Sequence, residues 1–131
     1  MFSQRNLFTA TSLLELSAGL SLMSLPALTI VLLLGVETPS PEALTVGRVG
    51  GAGLLAIGVA CWFAREDRGS RSQRGLLWAV LAYNVGASTV LAFGGTMYSL
   101  AGVALWPAVG LHGTMAIWCV LNLRGPTPDA H

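Results

Sequence analysis

The sequence contains few charged residues and no lysine. Only 10% of its 131 residues are charged, and all seven basic residues are arginine. A soluble globular domain carries about 25% charged residues, so this composition argues against a water-soluble fold. The net charge of +1 provides no basic surface of the kind that nucleic-acid-binding proteins use. We therefore expect no nucleic-acid partner.

Cysteine and the usual catalytic motifs are also scarce. The two cysteines, Cys61 and Cys119, are far apart and belong to no Cys-x-x-Cys or Cys/His pattern, so a structural zinc site is not indicated. The chain has no Ser/His/Asp constellation, no glycine-rich phosphate loop and no paired carboxylates within its apolar stretches. The sequence favours a protein that is not an enzyme, and no motif in it indicates a specific cofactor.

Apolar residues, by contrast, make up 53% of the chain. They form long stretches, and a helix needs about twenty such residues to cross the hydrocarbon layer of a membrane. Residues 65–74 form the one strongly polar run. We predict a single all-α domain, an integral membrane up-down-up-down four-helix bundle. The expected helices span residues 12–35, 41–64, 71–94 and 99–124, followed by a disordered tail at 125–131.

The start of the first helix is indicated by Ser12 and Glu15, which have the Ser-x-x-Glu spacing of a capping box. Residues 1–11 are then an interfacial lead-in. The apolar run is too long for the core of a cleaved signal peptide, so we expect it to be retained. Pro26 lies inside the span and predicts a kink, since proline removes one helical hydrogen bond.

Serine residues also mark the expected starts of the other helices. These are Ser40 before Pro41, Ser70 with Gln73 three residues later, and Ser99. Gly94 and Gly95 predict the end of the third helix. Pro107 falls inside the expected fourth helix and predicts a bend there.

The arginines predict the orientation of the bundle. With four spans, both termini and the 65–74 loop lie on one side, which then carries six of the seven arginines. Basic residues in short loops stay cytoplasmic. We therefore expect a multi-pass protein of the cell (inner) membrane with both termini in the cytoplasm. Trp62, Trp78 and Trp118 then fall near the inner boundary and Tyr98 near the outer one, as in an aromatic belt.

Glycines at helical spacing mark a packing face on the second helix. Gly47 and Gly51 form a Gly-x-x-x-Gly pair, and Gly58 lies two turns further along the same face. Small residues let helix backbones approach closely in a membrane. This face is expected to pack against another helix of the bundle, and dimerisation is the alternative.

Three segments give the chain a resemblance to a known group. The segments are GRVGGAGLLAIGVACW at 47–62, AYN at 82–84 and LWPAVGLH at 105–112. They resemble the pattern of small, uncharacterised bacterial four-span integral membrane proteins. The similarity runs from about Glu15 to Trp118 and implies the architecture but no activity. Its pattern-bearing positions are Arg48, Trp62, Tyr83, Asn84, Trp106, Pro107 and His112.

Polar residues within the apolar stretches are the candidate ligand-binding positions. They are Glu15, Tyr83, Asn84, Ser88 and His112. Such groups are costly in a membrane and face the bundle interior or a cavity. At 1.5 Å per residue, Asn84 and His112 lie about 14 and 18 Å from the inner boundary, and Glu15 lies up to about 12 Å deep, so they are able to form one layer.

Each of these positions also has a structural interpretation. Glu15 is equally explained as a helix cap at the interface. Asn84 is also explained as a hydrogen-bonding link between helices. His112 is also explained as a buried neutral side chain with a partner on a neighbouring helix or at the carbonyl freed by Pro107. A single histidine provides only one axial haem ligand in a monomer.

Three functions fit these features. The first is a non-catalytic accessory or scaffold subunit that contacts the lipid bilayer and other membrane proteins or itself. The second is a binder of a small apolar ligand, a quinone or a haem, fixed by His112 and Asn84. The third is an oligomeric proton-coupled transporter using Glu15 and His112. The sequence favours the first and leaves the ligand, the partner and the oligomeric state open.

Overall fold

The computed structural model describes residues 3–67 and 69–124, and within them the chain forms five helices and no strand. They are α1 (Gln4–Ser24), α2 (Pro26–Leu34), α3 (Pro41–Ala64), α4 (Arg71–Met97) and α5 (Leu105–Leu123). The prediction of an all-helical chain is confirmed. The tail predicted to be disordered, 125–131, lies outside the described residues.

Three of the helices, α1, α3 and α4, are long and apolar enough to cross a membrane. Large apolar side chains cover their outer surfaces: Val49 is 69% exposed, Phe63 76% and Val90 69%. Isolated exposed hydrophobic residues are normal in soluble proteins, but whole helix faces of this kind need an apolar solvent. The protein is therefore a helical membrane protein.

The first span begins earlier than its prediction. Helix α1 begins at Gln4, eight residues before the predicted start, and Ser12 lies buried in its middle. The apolar residues Leu7 and Phe8 explain the earlier start, because both are fully buried against the other helices. The capping-box interpretation of Ser12 is therefore wrong, and residues 4–11 belong to α1.

Pro26 produces a break between two helices where a kink was predicted. Leu25 leaves the helical region, with φ −130° and ψ 52°, as the residue before a proline tends to do. Pro26 then starts α2, which ends at Leu34 and has Gly35, with φ 74°, as its C-cap. Glycine tolerates this left-handed conformation, which suits a helix C-cap.

Helix α3 begins and ends where the sequence predicts. The Ser40 side chain accepts a hydrogen bond from the Ala43 amide at 3.3 Å, and Pro41 occupies the first helical position. The helix ends at Ala64, immediately before the arginine-rich loop.

The start of α4 also follows its prediction, with a different role for Gln73. Ser70 accepts from the Gln73 amide at 3.0 Å, as an N-cap does. The Gln73 side-chain oxygen accepts from the Gly69 amide at 3.1 Å, and its Nε2 donates to the Ala64 carbonyl at 2.9 Å. Gln73 therefore joins the start of α4 to the end of α3.

The predicted end of α4 is wrong, because the helix passes Gly94 and continues to Met97. A Cβ at Gly94 would lie 3.0 Å from Leu100, and one at Gly95 would lie 2.9 Å from Leu105. These two glycines therefore leave room for the returning chain and do not end the helix.

The predicted start of the last helix is also wrong. Ser99 has a positive φ of 55°, and α5 begins only at Leu105. Residues 98–104 instead pack on the end of α2, where the Ala104 amide donates to the Leu32 carbonyl at 2.9 Å. Pro107 then lies in the first turn of α5, whose amides have no partner within the helix, so the cause of the predicted bend is absent.

The helices associate mainly as two pairs, α1 with α3 and α4 with α5, and the pairs touch each other less extensively. A cluster of buried residues from all four long helices joins the pairs near the arginine-rich loop. These residues are Leu7, Phe8, Cys61, Leu77, Val80, Met115 and Cys119. Both cysteines are free and buried in this cluster, so they serve as small core residues.

Candidate functional site

Four polar side chains from three helices meet beyond the apolar core cluster. Glu15 comes from α1, Tyr83 and Asn84 come from α4, and His112 comes from α5. We call these four residues the polar layer. They are brought together because α1, α4 and α5 surround one interior and each presents a small polar group to it.

The depth of the polar layer follows from the helical rise of 1.5 Å per residue. Asn84 lies ten residues after Arg74, which is about 15 Å along α4. Glu15 likewise lies about 15 Å along α1 from Arg5. Both distances are about half of the 30 Å thickness of a hydrocarbon layer.

Asn84 and His112 bind each other directly. The His112 Nδ1 and the Asn84 Oδ1 are 2.9 Å apart, and the Asn84 Nδ2 donates to the Val80 carbonyl at 2.8 Å. Asn84 is 1% exposed. The Asn84 side chain thus donates a hydrogen bond within α4 and accepts one from His112 of α5. It therefore links these two helices.

This arrangement fixes the imidazole tautomer. The Val80 carbonyl only accepts, so the Asn84 nitrogen must face it and the Asn84 oxygen must face His112. The His112 Nδ1 must then carry the hydrogen and donate it. In the neutral ring, Nε2 is left with its lone pair, and it makes no hydrogen bond to the described residues.

Tyr83 extends the polar layer from His112 to α1. Its ring meets the imidazole edge-on, with the ring centroids 5.5 Å apart and the planes at 86°. Its side chain also lies beside Glu15 of α1. The contacts therefore run in series from Glu15 through Tyr83 to His112 and Asn84, and they connect the two helix pairs.

Glu15 does not cap a helix at the membrane interface. It lies eleven residues after the start of α1 and is 5% exposed. The two ion pairs found within residues 3–67 and 69–124 both involve Glu66, whose carboxylate binds Arg5 at 3.3 Å and Arg65 at 3.4 Å. The interpretation of Glu15 as an interfacial cap is therefore wrong.

Ser88 lies one helical turn beyond Asn84 and makes a separate contact. Its hydroxyl donates to the Val109 carbonyl at 3.2 Å. This is a second link between α4 and α5, and it does not reach His112 or Glu15. Of the five predicted polar positions, four therefore lie together and Ser88 stands apart.

Two further polar residues beside the layer were missed from the sequence. Thr11 and Ser12 are 1% and 0% exposed, and their hydroxyls have no hydrogen-bond partner within the described part of the chain. Their positions four and three residues before Glu15 place them on its face of α1. That spacing is the available signal, although the Ser-x-x-Glu pattern itself predicts a helix cap at Ser12.

The predicted glycine face of α3 lies against α1 and α2. A Cβ on Gly51 would lie 2.9 Å from the Gly19 carbonyl oxygen, and one on Gly58 would lie 2.8 Å from Leu16. Gly47 faces Ile30 at 3.2 Å by the same measure. Because this face is covered within the chain, it is not available for dimerisation.

The comparisons with known proteins return no relatives. No family model, no curated protein and no solved structure matches the chain. The described residues also contain no group of three or more His, Cys, Asp or Glu side chains able to hold a metal ion. The site must therefore be interpreted from its own geometry.

Proposed function

We propose that this protein is a four-span membrane protein with both termini in the cytoplasm of a bacterial cell, and that it acts as an accessory or scaffold subunit. Helix α5 is proposed as the fourth span. Its 19 residues make about 28 Å of helix, close to the hydrocarbon thickness. It also packs against α4, and its exposed side chains include Trp106 and Ile117.

The proposed orientation is supported by the charges at the two ends of the bundle. Arg5, Arg65, Arg71, Arg74 and Arg124 all lie at the end that carries the α3–α4 loop. Arg65 also covers the Trp62 ring at 3.3 Å from its centroid, a contact suited to a side chain at the membrane surface. Basic residues in short loops remain on the cytoplasmic side.

The observation that carries the scaffold function is the way in which the polar layer is used. His112 and Asn84 bind each other, and the Tyr83 ring packs edge-on against His112 while lying beside Glu15. These contacts hold the two helix pairs together within the chain. In membranes, where apolar helices gain little from burial against one another, polar links of this kind contribute to helix association.

The outer surfaces left by this arrangement are apolar and partly flat. On α3, a Cβ at Gly50 or Gly53 would meet nothing within 4 Å, and the neighbouring Val46 and Val49 are exposed. Such a surface fits lipid chains or a helix of another membrane protein. The proposed partners are therefore the bilayer and other membrane proteins, or a second copy.

The test is isolation of the tagged full chain from its native membrane in a mild detergent, followed by mass spectrometry of the intact particle. We expect a defined membrane-protein partner at a fixed ratio, and we expect the variant Gly50→Trp to lose that partner without losing its fold. The variant Gly86→Trp on the exposed face of α4 is the matched control. A particle that contains the single chain and lipid alone would contradict the scaffold function.

A second candidate function is favoured by the free nitrogen of His112. Asn84 fixes Nδ1 as the donor, so the Nε2 lone pair is available to accept a hydrogen bond from a quinol or to bind a haem iron. The test is an absorption spectrum and a quinone extraction of the same purified particle. Haem or quinone at one per chain, lost in His112→Phe and kept in Thr114→Val, would support this candidate over the scaffold.

A further inference from the structure

Thr11 and Ser12 combine full burial with the absence of a hydrogen-bond partner within the described part of the chain. Both are buried, and neither hydroxyl has a hydrogen-bond partner among residues 3–67 and 69–124. Seven other helix hydroxyls donate to the carbonyl four residues earlier. These are Thr9, Ser17, Thr29, Thr45, Thr89, Thr96 and Thr114.

The contrast shows what each environment offers. Several hydroxyls on outer helix faces, such as those of Ser17 and Thr89, donate to their own backbone, since lipid provides no acceptor. The hydroxyls of Thr11 and Ser12 instead make no such bond while buried in the bundle. Buried polar groups without a protein partner are commonly satisfied by bound water or an ion.

The carboxyl of Glu15 lies on the next turn of the same helix face. Along α1, the nearest arginine is Arg5, about 15 Å away, and Glu15 takes part in no ion pair within the described residues. An ionised carboxylate in an apolar interior is costly unless a proton or a cation neutralises it.

Within the described part of the chain, the titratable groups placed around Glu15 by the neighbouring helices supply no positive charge. Helix α3 contributes Cys61, and α4 contributes Tyr83. Helix α5 contributes Cys119, which interacts with Cys61, and His112, which lies behind the Tyr83 ring. Among residues 3–67 and 69–124, no ion pair therefore supplies the neutralising charge.

The same face of α1 is closed at both ends. Toward the arginine-rich loop, Leu7 and Phe8 are fully buried in the apolar core cluster. In the other direction, Gly19 packs backbone to backbone with Gly51. Thr11, Ser12 and Glu15 thus form a short polar segment between two tightly packed ones.

We propose that Thr11, Ser12 and Glu15 form an internal binding site for an exchangeable monovalent cation, either a proton with associated water or a sodium ion. The carboxylate supplies the negative charge. The two hydroxyls hold the water or contribute oxygen ligands, which suit hard cations. This inference goes beyond the scaffold function and does not depend on it.

The experiment uses the purified full chain in detergent and a hydrophobic carbodiimide. This reagent reacts with a protonated carboxyl group, whose O–H adds across its C=N bond, and the acyl group then moves to nitrogen to give a stable N-acylurea. We expect labelling at Glu15, found by peptide mass spectrometry, at a pH where the exposed Glu37 and Glu66 stay unlabelled. Glu15→Gln should lose this label.

Two arms distinguish the cations. If the occupant is a proton, replacing choline by sodium leaves the labelling unchanged, and the infrared band of a protonated carboxylic acid is lost in Glu15→Gln. If the occupant is sodium, the labelling falls as sodium rises, and sodium raises the melting temperature of the wild type but not of Glu15→Gln. The infrared measurement needs no access by the reagent.

The hydroxyls are tested with Thr11→Val and Ser12→Ala, matched to Thr9→Val and Ser17→Ala on the same helix. We expect the first two variants to shift the pH or sodium dependence of the Glu15 label and the control variants to leave it unchanged. The proposal is overturned if Glu15 gives neither a label, nor a carboxylic acid band, nor a sodium response. Unaltered labelling in both Thr11→Val and Ser12→Ala would show that the two hydroxyls are not part of the site.

Discussion

Gly19 and Gly51 face each other so closely that a Cβ on either would collide with the backbone of the other. The added atom on Gly19 would lie 2.8 Å from the Gly51 carbonyl oxygen, and the one on Gly51 would lie 2.9 Å from the Gly19 carbonyl oxygen. The contact is reciprocal, so α1 and α3 approach along their backbones at this level. This is the close packing that Gly-x-x-x-Gly faces permit in membranes.

A first prediction concerns this contact. Gly51→Ala should lower the thermal stability of the detergent-solubilised protein, because the new methyl group forces the two backbones apart at a cost of about 1–3 kcal/mol. Gly50→Ala and Gly53→Ala are the controls, since a Cβ at either position meets nothing within 4 Å. Equal melting temperatures for Gly51→Ala and Gly50→Ala would contradict the packing.

A second prediction concerns the hydrogen bond between His112 and Asn84. His112→Ala should destabilise the protein by about 1–3 kcal/mol, because it leaves the buried Asn84 oxygen without its donor. A double-mutant cycle with Asn84→Ala should give a coupling free energy of about 0.6–1.7 kcal/mol, measured by unfolding in detergent. Additive effects of the two substitutions would exclude a direct bond. Thr114→Ala, which removes a hydroxyl from the exposed face of α5, should cost little.

Gln73 provides a third prediction, at the loop between α3 and α4. Gln73→Ala removes both the acceptor for the Gly69 amide and the donor to the Ala64 carbonyl, and we expect a loss of about 1–3 kcal/mol. Gln73→Glu keeps the acceptor but not the donor, so it should fall between wild type and Gln73→Ala. Ser72→Ala, on the exposed side of α4, is the control. The measurement is thermal unfolding, and a Gln73→Ala protein as stable as Ser72→Ala would disprove the bridging role.

A fourth prediction tests the proposed orientation. Single cysteines in place of Ser70 and Ser40 should be labelled by an impermeant maleimide from opposite sides of the membrane, with Ser70→Cys reacting only in inverted vesicles. Cys61 and Cys119 are buried, so the wild-type chain should give little background. Labelling of both loops from one side would exclude the four-span arrangement.

Where the sequence succeeded, the signal was local. The helix starts at Ser40 and Ser70 were predicted to the residue, because each serine side chain accepts a backbone amide of its own next turn. The all-helical class followed equally directly from apolar stretches of membrane-spanning length. Such features depend on residues that are neighbours in the chain.

Where the sequence failed, the deciding contact was distant. Ser12 and Glu15 have the spacing of a capping box, yet the helix begins before them. Leu7 and Phe8 cause this earlier start because they pack against Cys61 and other core residues that are distant in the sequence. Ser99 is not a helix start, because residues 98–104 bind the end of α2 through the Ala104 amide and the Leu32 carbonyl.

The candidate site divides in the same way. The sequence alone determined which polar residues lie inside the apolar stretches, since a buried Glu, Asn or His in such a stretch must face the interior. Only the tertiary structure decided that Asn84 binds His112 and that Tyr83 lies beside Glu15. It also decided that the Thr11 and Ser12 hydroxyls, on the same face as Glu15, have no hydrogen-bond partner among the described residues. The physical reason is that these contacts depend on the rotation and separation of packed helices, which are set by backbone contacts such as that of Gly19 with Gly51.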